Sequence, residues 1–397
     1  MPDTPNFRKN HIIIAAVLAV LAITAVVVAV LVSGNNSGDI PAFVDKTGES
    51  STQDTTAADT TAADTTGTNE TTGTQETQPP APPETPKFFN PLTGEGCSEE
   101  LSKMRPAAFM INNIKEALPQ QGISGLDVLY ECLAEGGITR LLMLTQDYTK
   151  LEVLGSIRSS RDYYLDFAQN HDALYFHAGG SEKAYSEIAL RKIDNFDGVK
   201  GVTSNFYYRD SWRLANMSKE HTLVISVDGI KKCINYKGAR TQLKEDFRSP
   251  FSFNKEVKAP EGNDAKCVYI PFSTYQKPYL KYDSTTNTYK RWQYGEPHVD
   301  MTNNKQLEFT NILVLFCHHS GVLDEKGRIE VTTTGTGEGY YISNGKYVPI
   351  KYSKNTVDSP LKLFNADNTP LEINVGKTYI AIVGNSTKSQ INMNYNA

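Results

Sequence analysis

This chain is expected to be an α+β protein: an N-terminal α/β layered domain packed on a mostly antiparallel β domain, after a transmembrane helix and a disordered linker. Three features lead there: an unbroken apolar run near the start, a Thr/Asp/Pro-rich stretch behind it, and a change of rhythm midway through the remainder. Residues 1–11 read as a cytoplasmic head, 12–32 as the anchor and 35–87 as the linker. Residues 88–230 read as the α/β domain, 231–263 as a connection and 264–390 as the β-rich domain.

Between Ile12 and Val32 no residue is charged, and Thr24 is the one polar side chain. At about 1.5 Å per residue this run makes a helix roughly 30 Å long, the thickness of a bilayer core. Arg8 and Lys9 precede it, whereas Ser33, Gly34, Asn35 and Asn36 follow it without positive charge. The positive-inside bias then keeps the N-terminus cytoplasmic and exports the rest. A cleaved secretory signal is the competing reading, but the apolar core is long for one and Val32-Ser33-Gly34 is a poor exit site. Both readings put the bulk of the chain outside the cytoplasm. In the linker, Asp54-Thr55-Thr56-Ala57-Ala58 repeats from Asp59 and restarts at Asp64, and Pro79, Pro80, Pro82, Pro83 and Pro86 close it. It has almost no apolar surface to bury, so its ordering entropy is not recovered and it serves as a tether.

Lys and Arg number 40 against 45 Asp and Glu, with no basic stripe, which argues against a nucleic-acid partner. Cys97, Cys132, Cys233, Cys267 and Cys317 are widely spaced, odd in number and without a C-x-x-C pair, so no zinc or redox motif is signalled. In an oxidising compartment one or two disulfides would leave at least one thiol over. Cys132 and Cys317 lie in apolar runs and read as core residues.

In the first half, Ala107 to Ile111 reads as a buried strand ending at Asn112 and Asn113. From Gly125 to Glu135, Leu126, Leu129, Cys132 and Leu133 recur at helical spacing. Residues 138–144, 151–157 and 173–176 return to strands, and Ser159 or Ser160 and then Ser181 cap two helices. That alternation predicts an α/β layer. The second half shows short β-rich runs at 268–272, 279–282, 289–292, 312–316, 328–334, 339–342, 346–352 and 378–383. Turn signals such as Ser343-Asn344-Gly345 separate them, predicting a mostly antiparallel sheet or sandwich.

In open α/β sheets the ligand crevice lies beyond the carboxyl ends of the strands. Asn112 and Asn113 follow one predicted strand, Arg158 a second, and His177 with Gly179 and Gly180 a third. Two of these turns open helices whose free N–H groups favour an anion, and Arg158 and Arg161 add positive charge. A phosphate or carboxylate is therefore expected between the 155–162 turn and the 177–181 turn. The structural alternative pairs Arg161 with Asp162, leaves Ser181 as a cap and bonds His177 to a carbonyl. Glu131 and Glu135 either do acid–base work or join an ion-pair network with Arg140 or Arg158. Tyr208 to Arg213, including Arg209, forms with His221 a second cluster, lining a sugar site or bracing the domain junction. His318-His319, with His298 and Asp300 upstream, invites a metal reading, but adjacent strand residues face opposite ways. There is no G-x-S-x-G elbow, H-E-x-x-H or P-loop, and nothing asks for a cofactor or metal.

Taken together, several motifs are similar to the YerB-like lipoproteins of Gram-positive bacteria, domain of unknown function 3048, N- and C-terminal parts. They are Asn90-Pro91-Leu92-Thr93-Gly94, Arg105-Pro106, Met110-Ile111-Asn112-Asn113, Tyr130-Glu131 and Ala134 to Arg140. Gly155 to Tyr163, Asp172 to Ser181, Tyr208-Arg209-Asp210, His221, His298-Val299-Asp300, Asn311, Asp324 to Arg328 and Gly335-Thr336-Gly337 extend the likeness over everything after the linker. The resemblance implies an exported, membrane-attached envelope protein, here with a transmembrane anchor in place of the lipid. It implies no ligand, but it favours the loop residues as a site. Three functions follow as expectations. One is a cell-envelope protein binding an anionic glycan, lipid head group or protein partner. Another is an enzyme on a phosphate- or carboxylate-bearing glycan, with His177 or His221 as acid–base. The third is a purely structural envelope protein. The lack of a nucleophile motif favours binding.

Overall fold

The structure, a computed structural model, describes residues 86–397. The expected head and anchor, and all but the end of the linker, lie outside the described residues. Among the described residues no helix is long and apolar enough to cross a membrane.

Strands β1 (Ala107–Asn112), β2 (Val128–Leu133) and β3 (Thr139–Thr145) sit mid-sheet, buried almost throughout. Their apolar runs are nearly continuous because both faces of the sheet are covered. Phe109, Ile111, Leu129, Leu141 and Met143 enter one core, and Ala108, Met110, Val128, Tyr130, Leu142 and Leu144 enter the other. This corrects the helix expected over 125–135. A short apolar run buried on both sides carries no decisive period, and the i, i+3 recurrence there was incidental to β2.

Strand β4 (Val153–Gly155) is shorter than the 151–157 expected and leaves for a second sheet. Helix α1 (Asp162–Gln169), strand β5 (Leu174–His177), helix α2 (Glu182–Leu190) and strand β6 (Asn195–Asp197) then follow as the alternation predicted. The first helix is capped at Arg161 without a side-chain bond, not by Ser159 or Ser160, while Ser181 Oγ does accept from the Ala184 N–H at 3.1 Å. Strands β7 (Tyr207–Arg209) and β8 (Leu223–Ser226) flank helix α3 (Ser211–Asn216), and β4, β8 and β7 form a three-stranded antiparallel sheet. Helix α4 (Val227–Lys237) begins the connection.

The second half supplies β9 (Cys267–Tyr269), β10 (Tyr279–Asp283) and β11 (Thr288–Gln293), the backbone of a five-stranded antiparallel sheet. It also supplies β12 (Asn311–Cys317), the hairpin β13 (Gly335–Ser343) and β14 (Lys346–Lys354), β15 (Lys362–Asn365) and β16 (Thr378–Gly384). Asn344 and Gly345 turn the hairpin with φ of 48° and 75°, the paired positive values a two-residue loop needs. Residues 328–334 are not the strand expected. They carry one isolated bridge, His319 to Val331.

The halves do not meet as two separate layers. Strand β16 pairs in parallel with β12 on one side and with β2 on the other, so an 11-stranded sheet runs through both. That parallel pairing also makes the sheet mixed. One face is covered by the three-stranded and five-stranded sheets and α4, through residues such as Leu154, Ile225, Ile230, Val268 and Tyr289. The other is covered by α1 and α2, through residues such as Tyr164, Phe167 and Ile188.

The five cysteines are free thiols. Cys132 and Cys317 lie on strands separated by β16, since Ile382 is the register partner of both Cys132 and Leu315. Two inter-strand steps make roughly 10 Å, beyond the ~7 Å reach of a disulfide.

Candidate functional site

The two turns expected to cradle an anion are laced to each other. Ala178 N–H donates to Arg158 O at 2.9 Å and Ser160 N–H to Gly179 O at 2.9 Å, so backbone fills the space between them. Gly179 takes φ of 76° and donates its N–H to Asp197 Oδ1 at 2.9 Å, and Gly180 lies against Ser160. His177 is fully buried, with Nδ1 2.8 Å from Gly179 O and Nε2 3.2 Å from Asn195 Oδ1. Arg158 reaches outward to Glu220 at 3.2 Å.

Arg161 turns to Glu135 at 2.7 Å, not to Asp162, which pairs with Lys183 at 3.1 Å. Glu135 also takes the guanidinium of Arg140, which burial pushes down to about 10. The carboxylate thus bridges two arginines, one of them almost fully buried. Arg158, Arg161 and His177 are held by three different sets of partners and do not converge.

Glu131 lies on the opposite face of the sheet from Arg140. Its carboxylate is fully buried and accepts five bonds: Asn113 Nδ2 at 3.0 Å, Thr139 Oγ1 at 2.6 Å, Gln276 Nε2 at 3.2 Å, Arg291 Nη2 at 2.6 Å and Tyr379 OH at 2.6 Å. Burial opposes the charge on Arg291, but Glu131 and Tyr379 outweigh it and hold the guanidinium above its ordinary range. Arg291 Nη1 donates to Gln293 at 2.9 Å and to His298 Nδ1. The other ring nitrogen of His298 is 2.7 Å from Gln120 Oε1, and Gln120 Nε2 donates to Asn112 O at 2.9 Å. Asn112 Nδ2 meets His221 Nδ1 at 3.0 Å. Residues chosen from the sequence, Asn112, Asn113 and His221, are therefore brought together. They join a buried polar chain fastening β1, β2, β11 and β16.

The second cluster is divided. Arg213 is fully buried and donates to Gln121 Oε1 at 2.8 Å, to the carbonyls of Ala117 and His221, at 3.2 and 3.3 Å, and to that of Pro119. Burial pushes it down to about 10. Arg209 bonds Lys219 O and Thr222 Oγ1, and Asp210 caps α3. Tyr208 and Trp212 remain exposed. Asp300 does not join His298, because Gly122 N–H, Ser124 N–H and Oγ, and Thr302 N–H donate to its oxygens at 2.7–2.9 Å.

An open cleft of about 760 Å³ lies elsewhere, where residues 122–126 and 150–153 of the first half face 300–308 of the second. That volume suits a small-molecule site. Lys150, Lys290, Lys305 and Lys377 line it, with Glu152 and Glu308 as its exposed acids. Asp300 is sealed by its amide and hydroxyl donors, and burial pushes the Lys377 amine down. The hydroxyls of Ser124 and Thr302 and the amide of Asn303 complete the lining. Sequence reading missed this site because its lysines come from four distant segments and form no local motif.

Residues 92–240 match the model described as the N-terminal domain of a protein of unknown function (DUF3048), and residues 268–380 match its C-terminal counterpart. The chain is 29% identical over 311 residues to "Putative lipoprotein YerB" of Bacillus subtilis (strain 168), covering 77% of this chain and 89% of that protein. The crystal structure of the YerB protein from Bacillus subtilis superposes with a TM-score of 0.64 at 26% identity, covering 75% of this chain and 97% of that one.

Proposed function

Because the chain belongs to the DUF3048 family, we propose that it is a membrane-anchored extracytoplasmic protein of the bacterial cell envelope that binds an anionic envelope ligand. The relative described as a lipoprotein supports the location, and the apolar run 12–32, with Arg8 and Lys9 before it, supports a single-pass anchor with a cytoplasmic N-terminus.

The lysines of the 760 Å³ cleft carry the ligand reading, Lys305 without an ion pair among the described residues and Lys150 and Lys290 beside Asp147 at 3.0 Å and Asp283 at 2.8 Å. Lys150 and Lys305 are exposed on its rim, while Lys377 lies half-buried within it. Ammonium groups on a concave wall draw a phosphate or carboxylate, and neighbouring hydroxyl and amide groups fix the rest of a polyol or sugar. Titrating the full-length chain in detergent with glycerol-phosphate oligomers should give binding that weakens as salt rises. Lys150→Ala with Lys305→Ala should weaken it about tenfold or more, at two charge-assisted bonds lost. No binding, or binding indifferent to salt and to both substitutions, would overturn the proposal.

A further inference from the structure

The five-stranded sheet turns Val268, Leu280, Tyr289 and Arg291 inward, where they are fully buried. The outward positions between them should be polar on a face left to solvent. One outward row is aromatic instead. Tyr269 of β9 stands opposite Tyr279 of β10, and Tyr279 opposite Trp292 of β11. The end of the chain adds a fourth ring, held there by the Tyr395 N–H, which donates to Cys267 O at 2.9 Å. Between ring centroids, Tyr395 lies 4.5 Å from Tyr269 and 5.9 Å from Tyr279, and Tyr279 lies 5.6 Å from Trp292. Tyr395 is 37% exposed and the other three less, so the rings make one continuous strip flush with the sheet.

A second observation is the chemistry of the strip's edges. Among the described residues, the hydroxyls of Tyr269, Tyr279 and Tyr395 and the indole N–H of Trp292 have no hydrogen-bond partner. Lys281 Nζ stands 5.3 Å from the Trp292 ring and 5.6 Å from that of Tyr279, and it too is unpaired among the described residues. Size then decides what fits. At about 200 Å² per ring, four rings exposed by a third or less offer about 300 Å² in all. A stable protein partner or a second copy needs roughly 800 Å². Rings flush with a sheet also fall short of the roughly 5–10 Å by which an interfacial element enters a membrane. The strip runs on into the lysine cleft, because Lys290 lies opposite Lys281 in the register, two residues from Trp292, and lines that cleft.

We propose that this strip binds an uncharged stretch of glycan chain. The carbon–hydrogen faces of the pyranose rings lie across the aromatic row, and their hydroxyls bond the phenol and indole ends and the Lys281 ammonium. An apolar row one ring wide, edged by free donors and acceptors, matches the alternation of carbon faces and hydroxyls along a sugar chain. The proposal extends the reading of the lysine cleft without depending on it. A sugar-bearing anionic polymer would seat its charges in the cleft and its rings on the strip.

The chain has two tryptophans, so Trp212→Phe leaves Trp292 as the one indole reporter. The test is a fluorescence titration of that full-length variant, in a sugar-free detergent, with the β-1,4-linked N-acetylglucosamine tetramer. Trp292 emission should shift to the blue as sugar covers the ring, and to the same extent at low and high salt. Tyr279→Ala should weaken binding about tenfold, and Tyr279→Phe only about threefold, since it keeps the ring and removes the hydroxyl. Tyr279 points outward, so both variants keep the fold, which circular dichroism checks. Lys150→Ala with Lys305→Ala should leave the titration unchanged. The glycerol-phosphate titration is read by its loss with salt, so either reading can fail without the other. No emission shift, binding weakened by salt or by the lysine substitutions, or indifference to Tyr279→Ala would each overturn the proposal.

Discussion

Arg291→Met is expected to cost about 3–5 kcal/mol of folding stability, read as a fall in the urea midpoint. The substitution leaves the Glu131 carboxylate fully buried with no cation beside it, and it takes a donor from His298. Four neutral donors remain on Glu131, but none replaces a charge in a low-dielectric interior. Glu131→Gln with Arg291→Met should recover much of the loss, because a buried pair exchanged for neutral groups of similar volume is often tolerated. Since the pair ties β2 to β11, both parts of the chain should unfold in one transition. A single variant as stable as the parent, or a double variant no better than the single, would show that the pair is not what fastens these strands.

Mild acid is expected to destabilise the fold between pH 7.5 and pH 5, with His171 alone contributing about 2 kcal/mol. His171 is fully buried against Tyr130, and burial pushes it down to about 3. Burial also holds His298 well below the usual range, with the Arg291 guanidinium adding to it at Nδ1. Both rings are neutral in the fold and take protons readily only when it unfolds. Their contribution is thus fully present above about pH 6.5 and is lost as pH falls towards their folded values. His319, pushed by burial to about 4, acts in the same sense. Asp127 and Asp166, whose carboxyls burial raises, act in the opposite sense as they protonate. Urea midpoints at both pH values should show the loss, and His171→Gln with His298→Gln should flatten it. An unchanged slope in that double variant would contradict the assignment.

Much of the fold was legible from local pattern. The strands at 107–112, 139–145 and 174–177, the Ser181 cap and the Asn344-Gly345 hairpin follow from residues adjacent in the chain. What was not legible depends on distant partners. Strand β2 reads as a helix until both of its faces are known to be covered, and only the parallel register with β16 makes one sheet of two apparent halves. The site divides in the same way. Of the alternatives open for the two glutamates, acid–base work or pairing with Arg140 or Arg158, Glu135 meets Arg140, while the partner of Glu131 is Arg291, 160 positions away. The arginine and glycine turns look open in sequence because their backbone bonds to each other cannot be read there.

The most direct measurement is hydrogen-exchange footprinting of the full-length chain with and without glycerol-phosphate oligomers. Ligand should slow exchange at 122–126, 150–153 and 302–308, the walls of the lysine cleft. Protection at 155–162 and 177–181 instead, or at none of these segments, would contradict an anion site in that cleft.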